Sequence, residues 1–405
     1  MKTAKLYQED VYMKTADGNI MEVIVTPKET LLATDVSIFF PEGGGQPSDT
    51  GYLNDEFVHH VSEKNGVIYH HVASGTSIKT GETVTMRLDW NNRFKNMQAH
   101  LGEHILSGVF HSLFGGVNRG FHMGENYITI DIALENDPKI QEISPDMAME
   151  AERKANEIVW SNHPVTISHF SDSKEAKTLK LRKDLTLEAE DITVVTVGDK
   201  DAPKDCVACC GTHPATSSEV GLIKIYKVEK NKGMFRIYFD CGTRAMENFD
   251  NLHEVMTRIS DRYSAGLEDL EEKLLKEDQK NRNMRVKLSE LTRTLALQRA
   301  ELLSAKASDK KGIIYEKYDD FFPDDILKIE KELTKYPGTL YALLSKKDMT
   351  VLLISDGEIK CGNLVKDYAN FYGGKGGGKP ELARAIFKNE TDADLFVDLL
   401  EKHLR

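Results

Sequence analysis

The chain has 405 residues, more than one average domain holds, so roughly two to four domains are expected. Its composition, 40% hydrophobic and 29% charged, is that of a globular protein able to bury sizeable cores. The formal net charge of −12 excludes a protein that attracts nucleic acid through its overall field. A polyanionic partner would have to meet local basic patches.

The N-terminal segment MKTAKLYQEDVY lacks the apolar core of a signal peptide, and no apolar run reaches the ~18 residues that span a membrane. These features predict a cytoplasmic protein with no membrane partner. The number of cysteines is odd and three crowd into one segment, which indicates metal or thiol chemistry rather than a disulfide framework. They are Cys206, Cys209, Cys210, Cys241 and Cys361.

Residues 1–88 contain short apolar or alternating segments separated by turn signals, a pattern that predicts a small β barrel or sandwich. The predicted strands are Asn19–Val25, Val36–Phe40, Phe57–Val61, Val67–His71 and Thr83–Leu88. The histidines among them, His59, His60, His70 and His71, are expected at sheet surfaces.

A glycine-rich loop, Gly43-Gly44-Gly45-Gln46, lies inside this region. Three glycines let the backbone approach a ligand closely, and Gln46 resembles a substrate-positioning amide. A glycine-rich hairpin is the alternative reading.

From Trp90 to Gly115 apolar residues recur at helical spacing, so a helix is predicted. On it, His100 and His104 lie four positions apart and therefore on one face, where both could reach one metal ion. Cys209 and His213 have the same spacing and could add a thiolate and an imidazole.

Two such pairs in one chain make zinc the predicted metal. Cys206 and Cys210 remain alternatives to Cys209 as the thiolate ligand.

Between these pairs and beyond them, helices and strands alternate. We predict a helix at Ser144–Asn162, strands at Tyr127–Ile132, Val165–Phe170 and Ile192–Val197, and a hairpin of Gly221–Val228 with Met234–Phe239. The basic segment Lys174–Lys183 is interpreted as a solvated face, with contact to nucleic-acid phosphates as the alternative.

Apolar residues at three- and four-residue spacing continue through residues 252–303, which predicts a long helix or helical hairpin. It would form a homodimer seam or pack on its own chain. The last hundred residues predict a small α/β domain with strands Thr339–Leu344 and Thr350–Ser355.

A second glycine-rich stretch, Gly373 to Pro380, precedes a helix that we predict to begin at Glu381. Its Lys375 and Lys379 could contact RNA phosphates, but Pro380 takes the place of the Ser or Thr that a Walker A loop needs.

In order and spacing, three motifs resemble the alanyl-tRNA editing domain, which occurs in alanyl-tRNA synthetases and in free-standing trans-editing proteins. They are Gly43-Gly44-Gly45-Gln46, His100-x3-His104 and Cys209-x-Gly211-Thr212-His213. The stretch from Gly373 to Pro380 resembles the C-terminal domain of the same synthetases. The family usually reads Cys-Gly-Gly-Thr-His, so Cys210 replaces a glycine.

The resemblance implies an α+β fold of four parts. These are a β-barrel-like domain (1–88), a zinc editing domain (89–248), a helical segment (249–305) and a C-terminal α/β domain (306–405). It implies a zinc-dependent hydrolase that deacylates tRNA-Ala mischarged with serine or, less certainly, glycine.

The resemblance also implies residue roles. The metal ligands would be His100, His104, Cys209 and His213. Catalysis would involve Gln46 with the two helical histidines, and Gly43, Gly44, Gly45 and Gln46 would bind substrate. Thr34, Ser48 and Thr50 flank the glycine loop and are candidates for sensing the serine hydroxyl.

Two other functions fit parts of the sequence. His100-Leu101-Gly102-Glu103-His104 matches the H-x-x-E-H pattern of a zinc protease, in which Glu103 would be the general base and a downstream carboxylate the third ligand. Outside that interpretation, Glu103 is expected to be a solvated helix carboxylate. Alternatively, a closed zinc site could stabilise a non-catalytic RNA-binding module.

Overall fold

The computed structural model describes residues 2–124, 127–136, 140–183, 185, 192–309 and 312–404. The chain divides into two compact units, Met1–Arg258 and Ile259–Arg405. The finer division at residues 88, 248 and 305 stays a prediction.

Residues 15–88 form a seven-stranded antiparallel sheet in the order β6-β5-β9-β2-β3-β8-β7. The strands are β2 (Thr15–Val25), β3 (Glu29–Thr34), β5 (Gly51–Leu53), β6 (Glu56–Val58), β7 (His60–Lys64), β8 (Val67–Ala73) and β9 (Thr83–Leu88). The two end strands, β6 and β7, are separated in the chain by His59 alone, so the sheet must curl into a barrel-like form. Beside it, β1 (Ala4–Lys5) pairs in parallel with β4 (Val36–Ser37), and α1 (Leu6–Glu9) follows β1.

The central helix α2 (Trp90–Phe114) carries the predicted pair of metal histidines. It begins where the Asp89 side chain accepts a hydrogen bond from the backbone N–H of Asn92, and it ends at Gly115 in the left-handed conformation. Its second half is buried on nearly every side, as expected for a helix at the centre of a core.

Two further sheets surround α2 in this unit. The first has the order β10-β11-β16-β15, and its strands are β10 (Val117–Met123), β11 (Ile128–Ala133), β15 (Ile223–Asn231) and β16 (Met234–Cys241). The second, β12-β13-β14, consists of Val165–Phe170, Ile192–Gly198 and Pro203–Ala208. The helices are α3 (Pro145–Trp160), α4 (Ser173–Ala176) and α5 (Gly242–Tyr263), and one core joins α2 and α3 to the first sheet.

The second unit contains a five-stranded sheet in the order β17-β18-β19-β21-β20. Its strands are β17 (Gly312–Tyr318), β18 (Thr339–Ser345), β19 (Thr350–Ile354), β20 (Lys375–Gly378) and β21 (Leu382–Ile386). Its helices are α6 (Leu270–Asp309), α7 (Pro323–Glu332), α8 (Cys361–Tyr368) and α9 (Glu390–Leu404). Alternate residues of β18 face opposite cores: Leu340 packs with α8 and α9, and Leu343 packs with α6 and α7.

Several sequence predictions need correction. Val36–Phe40 is a strand only at its first two residues, and Phe57–Val61 is split between two strands. The predicted helix from Glu381 is wrong, because Leu382–Ile386 is strand β21, paired on both sides. His70 is fully buried rather than at a sheet surface. Within the described residues, no helix is long and apolar enough to cross a membrane.

Candidate metal centre

Four predicted metal ligands lie together in the first unit: His100, His104, Cys209 and His213. One ligand atom from each residue lies within 4.8 Å of the other three. Cys209 Sγ is 3.3 Å from His100 Nε2 and 3.7 Å from His213 Nε2, and the latter is 3.3 Å from His104 Nε2.

The spacing and the donor set fit a zinc ion. Zinc bonds of about 2.0–2.3 Å in a tetrahedron separate ligand atoms by roughly 3.3–3.8 Å, which matches the three closest pairs. Imidazole and thiolate donors are those that zinc prefers. The cluster could therefore hold a metal ion.

The elements position these ligands in two local pairs. His100 and His104 stand one turn apart on α2, so their rings lie side by side. Cys209 directly follows the last residue of β14. The chain then turns, and this turn brings the ring centroid of His213 to 4.6 Å from the ring centroid of His100. A Cβ atom on Gly211 would collide with the His100 ring, so this turn needs a glycine.

The electrostatics of the cluster favour a cation. Burial alone would raise the pKa of the Cys209 thiol, but the three imidazoles around it lower that pKa well below its usual value. Burial would lower the pKa of His104, but Cys209 and Asp205 raise it to about 10. Burial lowers the pKa of His213 to about 4. The lowered pKa favours the Cys209 thiolate, which is the form that binds a metal ion.

Each helical histidine is oriented by a second residue. His100 Nδ1 lies 2.9 Å from Gln46 Oε1, and His104 Nδ1 lies 3.1 Å from Asp205 Oδ2. Because the Nδ1–H group donates in both contacts, Nε2 of each ring is left free to bind a metal ion.

Asp205 and Arg182 were not singled out from the sequence. Burial alone would raise the pKa of Asp205, but Arg182 and His104 lower it. The Arg182 guanidinium donates to Asp205 at 2.6 Å and is nearly buried, whereas the lysines of the basic segment are exposed, as expected of a solvated face. The signal in the sequence is an acidic residue four positions before Cys209.

Glu103 is also buried, contrary to the expectation of a solvated carboxylate. It accepts hydrogen bonds from Ser107 at 2.6 Å and from Asn118 at 2.7 Å. The protease interpretation expected a carboxylate as third ligand, whereas Cys209 and His213 complete this cluster.

The structure separates the three neighbouring cysteines. Cys206 is buried, with Sγ 3.4 Å from Thr196 Oγ1, and Cys210 points toward Gly44. Cys209 is the cysteine that joins the cluster.

The glycine loop lies between two clefts. The smaller, about 240 Å³, opens on the cluster and includes Gly44, Phe121 and Cys209. The larger, about 880 Å³, is lined by the loop from Glu42 to Ser48 and by parts of the barrel, α2 and β10.

Gln46 lies inside the loop with its amide already engaged. Its oxygen also accepts from the Thr212 backbone N–H at 3.1 Å, and its nitrogen donates to Thr212 Oγ1 at 2.8 Å. Of the candidate hydroxyls, Ser48 and Thr50 line the larger cleft, and Thr34 is buried in the barrel. In the second unit, Lys375 and Lys379 are exposed at edge strand β20 and just after it.

The class of protein is indicated by three family models. They are tRNA synthetases class II (A) at residues 2–92, the Threonyl and Alanyl tRNA synthetase second additional domain at residues 192–238, and the DHHA1 domain at residues 310–405. The matches at residues 2–92 and 192–238 thus point to proteins related to tRNA synthetases.

The relatives narrow this class. Alanyl-tRNA editing protein AlaX-L of Pyrococcus horikoshii is 31% identical, with 99% of each chain covered. Alanine–tRNA ligase of Pyrococcus abyssi is 28% identical to this chain. The alignment covers 100% of this chain and 44% of the length of the ligase. The crystal structure of the C-Ala domain from Aquifex aeolicus alanyl-tRNA synthetase covers 24% of this chain and 95% of its own, at 18% identity. Its TM-score of 0.22 supports no conclusion. The chain belongs to the alanyl-tRNA editing family and is an aminoacyl-tRNA hydrolase.

Proposed function

We propose that the protein is a zinc-dependent trans-editing hydrolase that removes serine, and less readily glycine, from mischarged tRNA-Ala. The observation that carries this proposal is the four-residue cluster of His100, His104, Cys209 and His213 at a cleft in a chain of this family. A zinc ion, when bound, supplies Lewis acidity that polarises a carbonyl or activates water.

The chain's own residues orient the reacting groups. Gln46 and Asp205 hold His100 and His104 in the tautomer that points Nε2 into the cluster. We assign Gln46 a positioning role in catalysis, exerted through His100, because its oxygen is occupied by protein donors. The backbone of Gly43, Gly44 and Gly45 would bind the aminoacylated adenosine at the rim of the smaller cleft.

Selectivity follows from hydrogen bonding. A pocket that hydrogen-bonds to the serine hydroxyl leaves its polar groups unpaired when alanine enters. The free-energy cost of these unpaired groups discriminates strongly against alanine. A methyl group alone changes binding by only ~1–3 kcal/mol, so glycine is harder to separate from alanine. Serine should therefore be the better substrate.

Two contacts with partners are part of the proposal. Lys375 and Lys379 would contact the tRNA backbone from the second unit, because both are exposed beside a glycine-rich strand. Residues 252–303 would form a homodimer seam, because several leucines of α6 are exposed: Leu275, Leu288, Leu291, Leu295 and Leu302.

The test measures release of amino acid from tRNA-Ala charged with serine or with alanine. We expect rapid loss of serine with alanine spared, abolition by a chelator and recovery with zinc. A folded, zinc-loaded protein that cleaves neither ester would leave only a structural role for the metal.

A matched pair of cysteine variants isolates the centre. Cys209→Ala removes a cluster ligand and should lower both zinc content and serine release, the latter by at least about 100-fold. Cys210→Ala changes the neighbouring thiol, which lies outside the cluster, and should keep both. Equal effects of the two substitutions would contradict the assignment of Cys209.

A further inference from the structure

The larger cleft shares the glycine loop with the site described above, but α2, β10 and the barrel provide most of its other lining residues, which have no assigned role. Its volume of about 880 Å³ lies within the range of ligand-binding pockets, roughly 300–1,000 Å³. The smaller cleft, about 240 Å³, falls below that range and holds little beyond the aminoacyl end of a tRNA. Gly44 lines both clefts, so they adjoin the same glycine loop.

The larger cleft presents hydrogen-bonding groups more than cationic ones. Asn92 and Asn96 of α2, His60 of the barrel and His122 of β10 face it. Its one arginine, Arg244, is bound to Asp240 and to the backbone oxygen of Gly124. Amides and imidazoles suit the edges and faces of unpaired bases, whereas phosphate contacts call for cations.

Asn96, a lining residue of this cleft, has an unpaired hydrogen-bond donor. Its amide nitrogen is buried and has no partner among the described residues. An unpaired buried donor costs free energy, and a rotation of the Asn96 side chain toward the cleft that it lines would let this nitrogen donate to an acceptor on a bound molecule.

Gly43 and Glu42 add two observations at the same wall. A Cβ atom on Gly43 would contact only the Pro41 backbone oxygen, at 3.9 Å, and the φ angle of Gly43 is not positive. Neither packing nor backbone conformation therefore requires a glycine at this position. Its lack of a side chain leaves room for close approach from the cleft. The exposed Glu42 carboxylate beside it can accept from the amino group of a base such as cytosine.

We propose that this cleft binds the unpaired nucleotides that precede the terminal adenosine of the tRNA, with Asn96 and Glu42 contacting their bases. This inference rests on the proposed hydrolysis of aminoacyl-tRNA. The RNA strand crosses the outer face of the glycine loop, and the ester bond reaches the metal centre through the smaller cleft.

The experiment compares two substrates with the full-length, zinc-loaded protein. One is tRNA-Ala charged with serine, and the other is 3′-O-seryladenosine, which lacks the preceding nucleotides. For each variant, the readout is the ratio of kcat/KM for the tRNA to kcat/KM for seryladenosine.

Asn96→Ala should lower this ratio about three- to tenfold, the loss expected for one or two neutral hydrogen bonds. Asn91→Ala is the matched control, because Asn91 is an exposed residue of the same helix outside the cleft lining. Glu42→Ala, which removes the acceptor oxygens, provides a second variant at an exposed loop position. It should lower the ratio in the same direction.

The outcomes separate the two proposals. If the wild-type protein hydrolyses neither substrate, the proposed function fails. If it hydrolyses both and Asn96→Ala and Glu42→Ala leave the ratio unchanged, the nucleotide site is wrong. A variant that lowers both kcat/KM values equally acts on the metal centre, which also overturns the inference.

Discussion

Single side chains around the metal centre act through their neighbours. His100 and His104 lie four positions apart on one helix, and this spacing predicts that their side chains contact each other. Asp205 reaches His104 across 101 positions, through the pairing of β14 with β13. The position of Asp205 four residues before Cys209 places it near the predicted site, but spacing along the chain does not show that it contacts His104.

His70 supports a prediction about pH at the residue scale. It is fully buried, donates to the Leu32 backbone oxygen and accepts from Ser37 Oγ, each at 3.0 Å. Burial lowers its pKa from 6.5 to about 4. The unfolded chain therefore binds this proton more readily, and the stability contributed by the neutral ring is complete above pH 6.5 and lost as pH falls toward 4.

From these two pKa values, the His70 contribution falls by about 2 kcal/mol between pH 7 and pH 5. His70→Gln keeps hydrogen-bonding capacity without titrating, so its loss of stability over this range should be smaller by that amount. Urea unfolding of both proteins at the two pH values measures the difference. Equal losses would show that His70 does not titrate differently on unfolding.

At the scale of elements, a buried ion pair fixes α2 against the barrel. The Arg93 guanidinium and the Asp49 carboxylate are both fully buried in contact with each other. Arg93 also donates to the backbone oxygens of Val11 and Ile38. These contacts join the first turns of the helix to three separate segments of the barrel domain, which carries Gln46.

Removing one partner of a buried pair leaves the other charge uncompensated, so Arg93→Met should lower the free energy of unfolding by about 3–5 kcal/mol. Replacing both partners, as Arg93→Met with Asp49→Leu, should cost less than the single substitution. Denaturant unfolding of the two variants gives the comparison. A single variant that loses under 1 kcal/mol, or a double variant that loses more, would contradict the role given to the pair.

Elements with strong local patterns could be predicted, and those set by tertiary pairing could not. The helix from Trp90 and the hairpin of β15 and β16 have clear periodicity and are confirmed. Leu382–Ile386 contains helix-forming residues but lies between β19 and β20, whose hydrogen bonds override its propensity. The strand Glu29–Thr34 was missed because its buried residues do not alternate cleanly.

At the scale of the whole molecule, the barrel and the metal centre belong to one compact unit. The centre needs α2, the segment after β14 and the glycine loop of the barrel, so its parts are far apart in sequence. Composition indicates separate regions but cannot show that two of them share a site.

The two units differ in what they should contribute, and a fragment tests this division. Residues 1–263 contain the barrel, the cluster and both clefts, with cores made of their own residues. The fragment should fold, bind zinc and hydrolyse 3′-O-seryladenosine.

The fragment lacks Lys375 and Lys379, so its KM for tRNA-Ala charged with serine should rise at least about tenfold and depend less on salt concentration. The substitution of both lysines by alanine in the full chain should reproduce part of that rise. If the fragment keeps the full affinity and salt dependence, the tRNA is bound by the first unit alone, because no phosphate contact would then have been lost with the second.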